Sequence, residues 1–318
     1  MCAGRVDLVR NAIVANLGLL LMVVIWGAMF PAIERVLATW DVFSATAGRH
    51  TVALVGLLLV MSIRERGVPV RRDMPWGRLL LLGFLGMSMT SLMMTLSIEL
   101  SSGVSAAIAS ATNPISSAVT ARLLHRVPLL PGIVLGAVLS TAGALVSILG
   151  GAGEAVALGG GEALVVAANV LWTWYSMMAQ RWLAGYSQLH ITGLTALTGV
   201  AGLYAVIAIA GASGLAAFRI DMSPEPVLLL LAAGASVAIG NSLWHYGVSR
   251  VGVTLAAMYG NLIPIVAAAI AFWAGTPPTA AQLIGAAIII AGVLYAQTMT
   301  LRRQTAQATA ASADGAVT

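Results

Sequence analysis

The sequence predicts an all-α membrane protein with ten transmembrane helices, built as two five-helix repeats of opposite topology. Three observations predict it. First, 59% of the 318 residues are hydrophobic and only 8% are charged, far from the balance of soluble domains. Second, apolar runs repeatedly reach about 20 residues, enough to cross about 30 Å of hydrocarbon at 1.5 Å per residue. Third, one order of segments occurs twice, about 150 positions apart. A polar-flecked apolar helix, a Gly/Ser hinge, an Ala-rich helix with a central proline and a Gly-spaced apolar helix run from Gly77 to Gly150. The same order returns from Glu225 to Tyr295, with Pro264 answering Pro114. Five crossings per copy is an odd number, so the second copy must be inverted. Such repeats place a shared cavity near the bilayer midplane, and rocking of the halves gives alternating access. That pattern implies transport.

The elements follow in chain order. Span one, Asn11–Ala32, is kept as a membrane helix rather than a signal peptide: its apolar run continues into Trp26, Gly27 and Pro31 with no small-residue cleavage site. Span two, Val42–Ile63, carries a charge, Arg49, inside it. Spans three and four, Gly77–Ile98 and Val104–Leu124, flank the hinge, and span four holds Pro114. Span five, Pro131–Leu149, has Gly132, Gly136, Ser140 and Gly143 on nearly one face. Such a face lets helix backbones approach closely, within the chain or across a dimer. Span six is Glu162–Trp182, span seven Ile191–Ala210, span eight Pro226–Gly247 and span nine Val253–Ala274. Span ten, Ala280–Met299, repeats the small-residue face with Gly285 and Gly292. Residues 1–150 and 151–303 are therefore the two repeats, joined by a glycine-rich linker from Gly150 to Gly161 that fits neither a dinucleotide nor a P-loop spacing. Residues 304–318 read as a disordered cytoplasmic tail rich in Ala, Thr and Gln.

Charge sets the expected orientation. All 16 basic residues are arginine. With both termini cytoplasmic, only Arg35 and Arg219 fall outside and Arg49 lies within a span, as the positive-inside rule requires. The net charge of +5 is thus a topology signal and not a nucleic-acid footprint. The basic loop Arg64–Arg78 is a solvated loop or a lipid headgroup contact. A single cysteine, Cys2, excludes an internal disulfide. No paired Asp, nucleophile elbow, His/Glu metal cluster or Walker motif is present, so neither an enzyme nor an ATP engine is expected, and no cofactor or metal.

Polar residues inside the spans are costly and point to function. Span six carries Asn169, Trp172, Thr173 and Ser176 on one stripe, with Tyr175 beside them. Asn241, Trp244 and His245 lie in span eight, Ser110, Asn113 and Ser117 in span four, Thr90, Ser91, Met94 and Thr95 in span three, Tyr259 and Asn261 in span nine, and Trp26 in span one. Converging stripes would form a small-molecule pocket; each residue taken alone could equally bond across a packed interface. The expected substrate-binding set is Trp26, Thr90, Met94, Asn113, Trp172, Tyr175, Asn241, Trp244, His245 and Tyr259. The aromatic rings would supply walls and cation–π attraction, with Thr90, Asn113, Asn241 and His245 orienting the solute. Pro114 and Pro264 are kinks or hinges in helix interiors. Trp40, Trp76, Trp182 and Trp273 are expected in the interfacial belts. Arg49, about 10 Å deep at 1.5 Å per residue, is a structural tie or a contact for a substrate carboxylate. His50 points about 100° away from it, so only one of the two should face a pocket. No Asp or Glu lies mid-span: Glu34, Asp41, Glu99 and Glu162 sit near the outer surface. Coupling through a buried carboxylate is therefore not supported, and a passive or weakly coupled carrier fits better.

The run from Ser242 through Trp244, His245, Tyr246, Gly247 and Arg250 to Gly252, followed by Asn261–Pro264, Gln282–Gly285 and Ile290–Val293, resembles the drug/metabolite transporter (DMT) superfamily, EamA-type. The weaker first-half copy is Ser102–Ala107, Asn113–Pro114, Gly136 and Gly143, and Ile25–Gly27 and Arg49 also fit. The resemblance covers Asn11 to Arg303. It implies a ten-helix carrier of two inverted repeats in the bacterial inner membrane, exporting amino acids and other small metabolites. Leu171, Trp172, Tyr175 and the ending Arg181–Trp182 to Gly185 resemble the aromatic amino acid exporter branch (YddG-like). Many EamA proteins carry a Glu at the start of spans five and ten. Here those places fall near Arg126–Val127 and Thr276, and the aromatic exporters lack it too. The expected partners are a small-molecule substrate and the lipid bilayer, with no nucleic acid; a monomer is compatible with the sequence, which does not fix the oligomeric state. Two rivals remain: an efflux carrier for cationic drugs, which would need a buried Glu, and a non-transporting membrane scaffold.

Overall fold

The computed structural model describes residues 2–65, 74–100, 103–151, 160–214, 217–273, 275 and 277–314. Among them the secondary structure is helical, with no strand. In chain order the helices are α1 (Cys2–Leu37), α2 (Val42–Arg64), α3 (Trp76–Leu81), a π-helical stretch (Leu82–Met89), α4 (Thr90–Leu100), α5 (Gly103–Ala111), α6 (Asn113–His125), α7 (Pro131–Gly151), α8 (Gly161–Trp182), α9 (Gln188–Ala212), α10 (Pro224–Val251), α11 (Val253–Gly260), α12 (Ile263–Trp273) and α13 (Ala280–Asp314). Most of the Arg64–Trp76 loop, most of the glycine linker and Ser102 lie outside the described residues.

Among the described residues, eight helical segments are long and apolar enough to cross a membrane: Asn11–Leu37, Val42–Arg64, Trp76–Leu100, Pro131–Gly151, Gln188–Ala212, Pro224–Val251, Val253–Ile270 and Ala280–Arg303. Two expected spans fall short for local reasons. Span four is cut at Thr112 into α5 and α6, while α8 carries Asn169, Thr173, Ser176, Gln180 and Arg181 along its length. The outer faces are apolar: Leu17, Leu21, Leu59, Ile63, Leu123, Leu228 and Ile284 are all exposed, as lipid contact requires.

Glycines set the closest helix contacts. A Cβ at Gly136 would lie 2.8 Å from the Gly292 carbonyl oxygen, and one at Gly143 would lie 2.7 Å from that of Gly285. The small-residue faces of spans five and ten therefore pack on each other within the chain. The contacts run in opposite order along the two helices, so α7 and α13 are antiparallel. The pairs α1·α10 (Leu19 on Gly247, Trp26 on Gly240) and α2·α9 (Met61 on Gly193, Thr51 bonded to Tyr204 at 3.1 Å) are antiparallel as well. Side chains cap the helix starts: Asp41 accepts from the Ser44 N–H at 2.9 Å, and Ser187 from the His190 N–H at 3.1 Å.

Several expectations change on folding. Pro114 does not kink a helix interior: it sits in the first turn of α6, after a break at Thr112, where its missing N–H leaves no intrahelical bond unmade. The matching break precedes Pro264, between Gly260 and Ile263. Span three is not uniformly α-helical. Its π-helical stretch carries Gly83 against the Thr198–Gly199 backbone and Gly86 against the Tyr175 ring. Trp40 does not face lipid; it is 6% exposed, packs on Val36, Ala45 and Leu230, and donates its indole N–H to the Asp221 carbonyl at 2.7 Å. Arg49 and His50 are both buried, because the buried arc of α2, from Ala45 round to Ala47, is wide enough to hold both. Helix α13 continues to Asp314, through most of the expected disordered tail; its alanines are strong helix formers.

Candidate functional site

Three helices bring four aromatic rings together. Trp26 of α1 stacks on Trp244 of α10 with centroids 6.1 Å apart and meets Trp172 of α8 edge-on at 6.3 Å. Trp172 lies 5.6 Å from Trp244 and 5.3 Å from Tyr175. Each such ring pair contributes about 0.5–1.5 kcal/mol beyond its area burial. Absent side chains make the room: a Cβ at Gly240 would overlap the Trp26 indole, and one at Gly86 would overlap Tyr175.

Hydrogen bonds fix the rings' polar edges. The Trp244 indole N–H donates to Ser176 Oγ at 2.8 Å, and that hydroxyl donates to the Trp172 carbonyl at 2.7 Å. The Tyr175 hydroxyl bonds Thr195 Oγ1 at 2.8 Å and His245 Nε2 at 2.9 Å, joining α8, α9 and α10. His245 Nδ1 and Asn169 Nδ2 are buried with no hydrogen-bond partner among the described residues. The stripe on α8 thus has the spacing the sequence predicts, and Thr173 extends it to Ser117 of α6 at 2.8 Å.

The two helix breaks meet beside this cluster. Asn261, at the α11–α12 break, donates to the carbonyl of Ala111, the last residue of α5, at 3.1 Å. Thr141 of α7 donates to the same carbonyl at 3.1 Å, and Asn261 reaches Ser140 at 3.3 Å. A carbonyl left open by the break in one discontinuous helix is therefore satisfied by a side chain from the break in the other. Broken helices of this kind form the solute sites of many carriers.

The predicted site residues separate into groups. Trp26, Trp172, Tyr175, Trp244 and His245 come together as described. Tyr259 shares an apolar cluster with Trp26, Trp172 and Trp244, and its hydroxyl donates to Asn16 of α1 at 2.9 Å. Asn241 is buried one turn before Trp244 and His245. Thr90 bonds back to the Leu85 carbonyl at 3.3 Å, and Asn113 accepts from Ser117 at 3.4 Å. Met94 joins a separate small cluster with Ala106, Ala109 and Val165. Sequence reasoning passed over Asn16, Thr141 and Thr195, and read Ser140 only as part of a packing face. For Thr195 a signal was present, the Thr192, Thr195, Thr198 spacing along one face.

Arg49 stands apart from the rings. It is 8% exposed, and its guanidinium donates to Thr95 Oγ1 of α4 at 2.9 Å. A cavity of about 300 Å³ opens at the α1–α2 turn, lined by Glu34, Trp40, Val42, Ile98 and Glu99. A second hollow, about 490 Å³, is lined by Leu80, Leu81, Phe84, Thr198 and Gly202. No cluster of three or more His, Cys, Asp or Glu occurs among the described residues.

Comparison with known proteins places this arrangement. One family model, the EamA-like transporter family, matches the chain twice, over residues 13–149 and 159–297. The chain is 30% identical over 298 residues to a probable terminal-alkyne amino-acid exporter of Streptantibioticus cattleyicolor, covering 90% of this chain and 94% of that protein. It is 25% identical over 275 residues to the uncharacterized transporter YyaM of Bacillus subtilis, covering 85% and 89%. A solved crystal structure superposes with a TM-score of 0.74 at 22% identity, over 90% of this chain and 98% of that one, which shows the shared fold. With one family model covering both of its halves, this multi-span membrane protein belongs to the EamA-like transporter family of the drug/metabolite transporter superfamily.

Proposed function

We propose that this chain is an inner-membrane secondary carrier that exports small metabolites, amino acids including aromatic ones above all, by alternating access between two inverted five-helix halves. The observation that carries the proposal is the ring cluster of α1, α8 and α10 beside two helices broken at matching places. Rings with polar edges suit a solute that is apolar at one end and charged at the other.

The pairing of helices supports the inversion. In the sequence repeat Gly136 matches Gly285 and Gly143 matches Gly292, yet the contacts are crossed, Gly136 on Gly292 and Gly143 on Gly285. A two-fold axis lying in the membrane plane produces that crossing. Neighbours pair accordingly: α1 with α10 and α8 with α4, α2 with α10 and α9 with the π-helical stretch. On this reading α5–α6 and α8 are the remaining two of ten crossings, and the repeats occupy 1–150 and 151–303. With ten crossings, Arg64, Arg78, Arg122, Arg126, Arg181 and Arg250 fall on one side of the membrane, and Arg35 and Arg219 on the other. Positive-inside bias makes the first side cytoplasmic, together with both termini. The amino-acid exporter named among the relatives supports the substrate class.

Flux in proteoliposomes tests the site. Replacing Trp172 or Asn241 with Ala lowers amino acid flux at least tenfold, since each change removes about 1.4 kcal/mol or more of solute contact. Near-normal flux in both variants would overturn the site. A second reading, efflux of cationic compounds, has only Glu34 and Glu99 of the α1–α2 cavity to draw on, and both are exposed where that reading needs a buried Glu. It predicts export of a lipophilic cation with no response to amino acids.

A further inference from the structure

Four buried polar atoms with no hydrogen-bond partner among the described residues crowd five residues of α2. They are Thr46 Oγ1, Arg49 Nε and both ring nitrogens of His50. Thr46 is fully buried and His50 is 3% exposed. Thr46 and His50 are one helical turn apart, and Arg49 is three residues from Thr46, so Thr46 neighbours both of the others on the buried arc of α2. Among the described residues the guanidinium makes a single hydrogen bond, to Thr95 Oγ1, and that hydroxyl donates onward to the Ser91 carbonyl. No described carboxylate lies within ion-pair distance of it.

This is not how a structural arginine is held. A buried guanidinium that ties helices together directs its five donors to carbonyls or a carboxylate, because an uncompensated charge inside a membrane is expensive. Buried polar groups in native proteins have partners, and an orphaned group calls for a specific explanation. Here the surplus donors and the missing negative charge coincide. The cavity of about 300 Å³ at the α1–α2 turn gives a direction of approach. Val42 lines it two turns before Arg49, and Ile98 and Glu99 line it one turn beyond Thr95.

We infer that Arg49, with Thr46, His50 and Thr95, forms an anion subsite that takes the carboxylate of the transported solute. The guanidinium presents two parallel N–H donors to the two carboxylate oxygens, the arrangement that favours arginine over lysine. The Thr46 hydroxyl and an N–H of His50 donate to the remaining lone pairs. Glu34 and Glu99, at the mouth of the same path, repel a bare anion and leave a zwitterion's ammonium attracted. The subsite thus selects a carboxylate that carries its own positive charge. The inference rests on the transport reading for the identity of the solute.

The test uses purified full-length protein in detergent, with thermal unfolding as the readout and four probes: L-phenylalanine, its methyl ester, 3-phenylpropionate and sodium chloride. L-Phenylalanine raises the melting temperature, the ester does so at least about tenfold less potently, and chloride at matched ionic strength does nothing, in keeping with a charge-assisted hydrogen bond. Arg49→Gln abolishes the difference between acid and ester, and Arg49→Lys retains part of it. Comparing acid with ester on the unaltered protein needs no variant, so a misfolded substitution cannot hide the answer. Equal potency of acid and ester, an acid preference that survives Arg49→Gln, no response to any carboxylate, or an Arg49-dependent response to chloride that carboxylates do not compete with would each overturn the subsite. The transport reading is scored separately by flux. If Trp172→Ala stops transport while acid and ester bind alike, the ring cluster stands and the subsite falls.

Discussion

Helices α2 and α9 are antiparallel neighbours of similar length, and each buries a row of polar side chains. On α9 every hydroxyl of the row is used. Thr192 donates to the Gln188 carbonyl at 2.8 Å, Thr195 bonds Tyr175 at 2.8 Å, and Thr198 reaches the Leu79 carbonyl at 2.8 Å. On α2 the row Thr46, Arg49 and His50 leaves four atoms without a partner among the described residues. Glycines differ in the same way. Gly199 sits against Met87 and the Gly83 carbonyl, whereas Gly56 on α2 has open space around it. One helix is polar because its hydroxyls are satisfied, two of them by neighbouring helices. The other buries polar atoms that no described residue satisfies. Burial and polarity alone do not distinguish them; satisfaction of donors and acceptors does.

The largest effect expected from breaking this comparison is at the α9 contact. Gly83→Leu would drive a side chain into the Gly199 N–H, whose nitrogen lies 2.5 Å from the ideal Cβ. It should cost about 3 kcal/mol or more by overpacking, read as a lowered melting temperature in detergent, while Gly56→Leu should change it little. Next comes Arg49→Met. Removing a buried charge that lacks a counterion should stabilise the solute-free protein by about 1–3 kcal/mol and abolish flux of carboxylate solutes. A destabilised Arg49→Met would mean that the guanidinium is a structural tie after all. A matched pair follows. Thr198→Val on α9 should cost about 1 kcal/mol, since interhelical hydrogen bonds in membranes average about 0.6 and reach about 1.7 kcal/mol. Thr46→Val on α2 should be neutral or mildly stabilising, because an unpaired hydroxyl is removed. Equal losses would erase the distinction between the helices. The smallest effect is expected at the α1–α10 surface pair, Arg35–Glu225, 3.7 Å apart with both side chains more than 70% exposed. Arg35→Gln should shift stability by no more than about 0.5 kcal/mol, and salt should erase even that.

The ring cluster was legible in the sequence because helical spacing alone puts Asn169, Trp172, Thr173 and Ser176 on one face, and Trp26, Trp172 and Trp244 lie too deep for an interfacial belt. The same logic failed for Trp40. A tryptophan near a helix end is a belt residue only if no loop folds over it, and the 219–221 segment does fold over this one. Arg219 N–H bonds Asp41 at 2.8 Å while the Asp221 carbonyl takes the Trp40 indole. The prolines lie in the right segments, but each sits in the first turn after a helix break and not in the helix interior where the sequence placed it. Where each helix breaks, and that Asn261 bridges to Ala111, depended on two segments 150 residues apart in sequence.

From composition and periodicity alone came the helical class, the apolar spans, the duplicated pattern and the residues that would be costly to bury. These are local consequences of hydrocarbon thickness and helix pitch, so one segment suffices to read them. Which costly residues are repaid by a neighbour, and which are left waiting for a partner, was decided by tertiary structure. Hydrogen-bond satisfaction is a property of pairs, and the second member of each pair arrives only when distant helices pack.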